Sequence, residues 1–246
     1  ATWYNSQDFG RNQQQGQDND SGTQWYLQGN SRLGAKVKAD KVTGQIELAT
    51  TASTTDSAGD GAVNTRRAYG VWNFSDNAWL KVGKDYSPTT DFISNQSYDG
   101  DNDLLGNGNF YGRRPQGLTL GIGEFEIAFL TPQQGNTGGI NSNTSGILLP
   151  TTAAALPAPT GATGDPDVFL PKFEASYMLK LGSGYIKPFG GFQYYSVNSS
   201  APAQNVQDSI DLYSYVLGVS TSWNIGAFSL GGQVSYGMNE GLSNWA

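Results

Sequence analysis

Cysteine and histidine are both missing from this sequence of 246 residues. Without cysteine there is no disulfide framework and no thiolate to act as nucleophile or metal ligand. Without histidine the commonest general base and the commonest metal ligand are gone as well. Hydrolysis by a serine–histidine pair is thereby excluded, and catalysis would have to rest on paired carboxylates or on serine with lysine. Glu47, Glu126 and Glu174 are expected to face one interior, but on separate strands, and the chain reads as a non-enzyme. Long hydrophobic runs are also lacking: no stretch reaches the roughly 18 apolar residues of a membrane helix. Basic residues are few, 14 against 21 acidic ones, which argues against a nucleic-acid partner.

What the chain does contain is a regular alternation of short turns and long polar loops. The tight connections are Asp40-Lys41, Ser75-Asp76-Asn77, Gly123-Glu124, Gly182-Ser183-Gly184 and Ile225-Gly226-Ala227. The long ones cover residues 10–23, 50–64, 87–115, 132–168 and 198–210. An antiparallel meander with every hairpin short at one end and long at the other is the pattern of a transmembrane β-barrel, with the short turns periplasmic and the loops extracellular. Such a barrel needs no continuous apolar run, because only one face of each strand meets lipid. A hydrophobic fraction of 37% and 33 glycines are compatible with that arrangement.

Between the turns, apolar residues occupy every second position. Tyr213, Tyr215, Leu217, Val219, Trp223 and Ile225 oppose Ser214, Gly218, Ser220 and Ser222, and Phe228, Leu230, Val234 and Tyr236 alternate with Ser229, Gly231, Gln233 and Ser235. This is period two, not the 3.6-residue stripe of a helix. In residues 169–181, Phe173, Ala175, Tyr177 and Leu179 oppose Lys172, Glu174, Ser176 and Lys180. Pro188 lacks an N–H and predicts a bulge or bend in its strand. The count comes to about eleven strands in a single all-β, up-and-down barrel domain over residues 1–246. Single-chain bacterial barrels have even strand numbers, so an odd count predicts a portion of a longer barrel, incomplete at both ends.

Charge is segregated along this pattern. Eleven of the 14 basic residues lie in or beside proposed strands and their turns, whereas most acids lie in loops and turns. The runs Ser31-Arg32-Leu33-Gly34-Ala35-Lys36-Val37-Lys38 and Gly44-Gln45-Ile46-Glu47-Leu48 resemble the second and third strands of Gram-negative general diffusion porins. Arg66-Arg67-Ala68-Tyr69-Gly70-Val71 resembles their fourth strand, and Lys81-Val82-Gly83-Lys84-Asp85-Tyr86-Ser87-Pro88-Thr89 their fifth running into the third loop. The resemblance covers about residues 24–92.

That resemblance implies a sixteen-stranded homotrimer in the outer membrane, surrounded by lipid and lipopolysaccharide, passing ions and small hydrophilic solutes passively. It implies that the loop 87–115 folds inward and narrows the pore, with Asp91, Asp99, Asp101 and Asp103 facing a basic wall of Arg32, Lys36, Lys38, Arg67 and Lys81. Charged side chains lining a narrow pore select solutes by charge. The segment 132–168, of low complexity, is expected as a long extracellular loop, and 50–64 as a latch over a neighbouring subunit. Trp25, Trp72, Trp79, Tyr213, Trp223 and Tyr236 are expected as membrane-interface aromatics. Asp99-Gly100-Asp101-Asn102-Asp103 offers carboxylates to calcium but lacks the glycine and glutamate that an EF-hand loop requires. No cofactor is expected beyond that calcium ion. Two alternatives stay open: a substrate-specific channel, and a soluble or surface β-sandwich that binds a ligand.

Overall fold

The computed structural model describes residues 2–7, 21–26, 32–50, 63–93, 110, 112–132, 164–199, 209–240 and 245. The strands are β1 (Thr2–Gln7), β2 (Ser21–Tyr26), β3 (Arg32–Ala39), β4 (Val42–Thr50) and β5 (Val63–Ser75). Then follow β6 (Ala78–Lys84), β7 (Gln116–Ile122), β8 (Phe125–Leu130), β9 (Gly164–Asp167) and β10 (Lys172–Tyr177). The last four are β11 (Leu179–Leu181), β12 (Gly184–Ser199), β13 (Ser209–Ile225) and β14 (Phe228–Met238).

One antiparallel sheet runs in the order β14-β13-β12-β10-β8-β7-β6-β5-β4-β3, with β9 and β11 also paired to β12. Residues 164–181 thus fill one position of the sheet in three pieces. β1 and β2 pair separately, Trp3 opposite Trp25. The expected stretch 25–38 is seen as β2 and β3, and residues 27–31 between them lie outside the described residues. Among the described residues β3 and β14 are not paired to each other, so the sheet is open where closure was expected. Each such edge presents a row of N–H and C=O groups to which another strand can pair.

All five tight connections are where the sequence placed them. Asp40, Gly123, Gly182 and Gly226 open their turns with φ of 47°, 60°, 57° and 62°. A two-residue hairpin matched to strand twist needs that left-handed geometry, which glycine adopts freely and aspartate tolerates. The long connections fall mostly outside the described residues, including 94–109 and 133–163. Pro188 makes no bulge: its strand keeps register with β13 (Pro188 opposite Val219) and with both β10 and β11. The ladder instead lapses across from it, between β10 and β11, because proline has no N–H to donate on that side.

Register links rows of residues across the sheet. One row reads Val42, Trp72, Leu80, Leu120, Ile127, Ala175, Gly190, Leu217 and Tyr236. The adjacent row, one residue along each strand and so on the other face, reads Lys38, Thr43, Val71, Lys81, Thr119, Ala128, Glu174, Gly191, Val216 and Gly237. Burial is inverted relative to a water-soluble protein. Leu33, Leu217 and Val234 are 75%, 63% and 71% exposed, while Lys172, Gln193, Ser214 and Ser220 are fully buried. A β-sandwich would hide its apolar faces between two sheets. Here more than twenty large hydrophobic side chains stand exposed, far beyond the patch a soluble monomer tolerates.

Candidate functional site

The polar face carries the charged groups, and a segment leaving β6 crosses it. On β4 and β5 the register shifts between Glu47 and Leu48: Glu47 pairs with Arg67 and Leu48 with Thr65. Arg66 is the extra residue of this bulge, which turns it toward the same face as Arg67. Arg66 Nε donates to Glu47 Oε1 at 2.9 Å, and Arg32 Nε lies 4.0 Å from the same oxygen. Arg67 Nε donates to Asp85 Oδ1 at 2.6 Å, and Lys81 Nζ to Asp85 Oδ2 at 2.8 Å. Tyrosines fill the gaps between the cations. Tyr86 Oη accepts from Arg66 at 3.2 Å and from Arg114 at 3.4 Å, and the Arg67 guanidinium lies 5.2 Å from the ring centres of Tyr69 and Tyr86. In this cluster five cations, Arg32, Arg66, Arg67, Lys81 and Arg114, face the two carboxylates Glu47 and Asp85, leaving a formal excess of three positive charges.

Asp85 stands just beyond β6 and is 8% exposed. Burial by itself raises its carboxyl, but the hydrogen bond from Arg67 and the charge of Lys81 outweigh burial and hold it below the usual carboxylate range. A carboxyl depressed in the fold contributes stability that is fully present above its unfolded value, about 3.9, and fades as pH falls through the lower folded value. Neutral pH therefore leaves the Arg67–Asp85–Lys81 contact intact, and acid below about pH 4 weakens it. In an acid titration of stability, Asp85→Asn is expected to flatten the limb below that pH. An unchanged limb would show that Asp85 is not the group responsible.

From Asp85 the segment 85–93 passes over the polar face to the far strands, and residues 112–115 return beside it. Asp85 N donates to Pro115 O and Ser87 N to Arg113 O, both at 3.4 Å. Three consecutive residues then dock on different strands. Thr89 donates from its N at 3.3 Å and its Oγ1 at 2.7 Å to Glu174 Oε2 on β10. Thr90 O accepts from Lys187 Nζ on β12 at 2.8 Å. Asp91 Oδ2 accepts from Tyr185 Oη at 2.9 Å and from Ser220 Oγ on β13. Beside them, Phe110 stacks on Phe189 at 5.3 Å and its N donates to Gln233 Oε1 on β14 at 2.6 Å.

The residues singled out from sequence distribute as follows. Arg67 and Lys81 come together on Asp85, and Arg32 joins Arg66 around Glu47. Lys36 and Lys38 stand exposed on the same face of β3. Asp91 lies across the face from that wall, bound to Tyr185 and Ser220. Asp99, Asp101 and Asp103 lie outside the described residues, and with them the calcium question; elsewhere among the described residues no metal-binding group of three or more acidic side chains occurs. Trp72, Tyr213, Trp223 and Tyr236 are on the apolar face, and Trp25 is placed on β2. Trp79 departs from its expected role at the membrane interface. It pairs with Gly121 on the polar face, over which its indole lies, 5.8 Å from Lys81 Nζ. Period two assigns it to that face with Lys81, and the missing side chain of Gly121 makes the room.

Sequence reasoning missed Arg66, Tyr86, Arg114 and Trp245 as members of this face, while alternation set Lys172 and Lys187 on it without giving either a role. Two adjacent arginines in an alternating strand are a break of phase, and that was the available signal for the bulge. Nothing local marks Trp245, which is fully buried and donates from Nε1 to Glu174 Oε1 at 2.9 Å.

The sequence matches no protein-family model and no curated protein. Among solved structures it is similar to the crystal structure of the outer membrane channel DcaP of Acinetobacter baumannii, with a TM-score of 0.53 and 18% identity. The match covers 90% of this chain and 55% of that one, so the chain spans little more than half of that channel's length. At such identity the likeness is one of fold: an antiparallel, up-and-down β architecture shared with an outer-membrane channel.

Proposed function

We propose that this chain forms part of a porin-like outer-membrane channel through which ions and small hydrophilic solutes diffuse passively. The observation that carries this reading is the inverted sheet, apolar on its exposed face and polar on its covered one. Closure of the sheet into a barrel would remove both unpaired edges and surround the polar face with a water-filled lumen. The outer membrane of a Gram-negative bacterium is the setting that suits such a barrel, and assembly as a trimer belongs to the same proposal. No chemistry is performed; passage is limited by size and charge. The segment 85–93, crossing the polar face beside the basic wall, would be the constriction.

The positive excess around Glu47 and Asp85, together with Lys36 and Lys38, favours anions at that constriction. Bilayer recordings of the purified protein in a salt gradient test both points. A stepwise conductance is expected, with a reversal potential on the anion side. Neutralising Arg32, Lys36 and Lys38 to glutamine should lower the anion-to-cation permeability ratio by about twofold per charge, because a screened Coulomb contribution of roughly 0.2 kcal/mol at about 8 Å in water acts with opposite sign on the two ions. A protein that never conducts would remove the channel reading. Conductance with an unmoved reversal potential would remove the basic wall as its selector.

A further inference from the structure

Glu174 is 1% exposed and collects four donors from three parts of the chain. Thr89 supplies two from the crossing segment, and Trp245 supplies one from beyond β14. Lys172 Nζ, on the same strand, lies 3.0 Å from Oε1 and 4.3 Å from the centre of the Trp245 ring. Trp245 in turn lies over Gly191, where a β-carbon would meet its indole, and closes an apolar cluster with Phe110, Phe189 and Val216. Next to this knot Ser214, Gln193 and Tyr195 are fully buried. Across the face, Lys36 and Lys38 are exposed. One half of the polar face is therefore covered and packed, the other open.

We propose that Glu174 is the clasp that keeps the crossing segment shut against β10, β12 and β13, so that solutes pass only along the half carrying Arg66, Arg67 and Lys81. The proposal rests on the channel reading for its consequence, though not for its test. A buried carboxylate with several donors is the strongest kind of hydrogen-bonded anchor, because each donor is charge-assisted and none competes with water. Glu174 is a positioning residue: it touches the segment that narrows the path, and nothing requires it to touch the solute. Lys187 on Thr90 O and the Tyr185–Asp91–Ser220 contact hold the two following residues in the same place.

The chain has no cysteine, so single introduced thiols report access without interference. Val216→Cys places one under the clasp, and Lys36→Cys places one on the open half. A small charged methanethiosulfonate reagent, applied to the folded protein in detergent micelles, is expected to modify Lys36→Cys quickly and Val216→Cys slowly. Adding Thr89→Val, which removes one donor from a residue outside every strand, should speed modification of Val216→Cys by roughly tenfold or more, the population change for losing one bond to a charged acceptor. Glu174→Ala should do the same to a greater degree, and the Thr89 variant decides the matter if that protein does not fold. Equal rates at the two positions without either clasp substitution would overturn the sealed half. Unchanged slow modification of Val216→Cys after Thr89→Val would overturn the clasp. The same proteins recorded in bilayers separate the two ideas: absence of conductance removes the channel, while the thiol rates still decide whether Glu174 closes that half of the face.

Discussion

Leu217→Arg is expected to destabilise the folded protein in lipid by about 2–4 kcal/mol, the range for a cation near the middle of the apolar band of a membrane barrel. Leu217 is the ninth of the 17 residues of β13, close to the centre of the strand. It is also 63% exposed, with Tyr236 opposite it. In water, an exposed leucine replaced by arginine changes stability by no more than about 0.5 kcal/mol. The two environments thus give opposite answers from one substitution. Urea unfolding of the protein reconstituted in vesicles measures the difference, and a change within the aqueous range would mean that this face meets solvent or another protein chain.

The second large effect is expected at the buried ion pair. Lys172 and Glu174 are both fully withdrawn from solvent at the side chain, 3.0 Å apart. Lys172→Met leaves the Glu174 carboxylate without the cation paired to it, and breaking such a pair costs about 3–5 kcal/mol. Thr89 and Trp245 still donate to it, so the low end of that range is expected. The double variant Lys172→Met with Glu174→Gln removes both charges and keeps an acceptor for Thr89. It should recover most of the loss, because the isolated charge rather than the missing contact carries the cost. Additive losses in a double-mutant cycle would show that the pair is not coupled.

Much of this architecture was legible before any coordinates. Period two in residues 212–225 and 228–237 placed Leu217, Tyr236 and Val234 on one face and Ser214, Ser220 and Gln233 on the other, and the sheet has them so. The five turns were legible because glycine and aspartate with left-handed backbone are local requirements. The grouping of Arg67 with Lys81 followed from the resemblance of residues 24–92 to diffusion porins. Trp79 shows a different failure: its face could be read from Lys81 two residues away, but its chemistry as a tryptophan suggested a membrane interface.

What alternation could not convey is where the polar face is crossed and fastened. Thr89 and Glu174 are 85 residues apart, Asp91 and Ser220 129, and Phe110 and Gln233 123. No periodicity reaches over such separations. Arg66 joined the wall only because a bulge gave it the same side as its neighbour. The sequence by itself determined strands, turns, the two opposed faces and the want of histidine or cysteine chemistry, since each depends on residues within a few positions of one another. The tertiary structure decided that Asp85 is held between Arg67 and Lys81, that Asp91 anchors to the far strands, and that Glu174 gathers Thr89, Lys172 and Trp245. Those contacts exist only once the sheet has brought distant strands side by side.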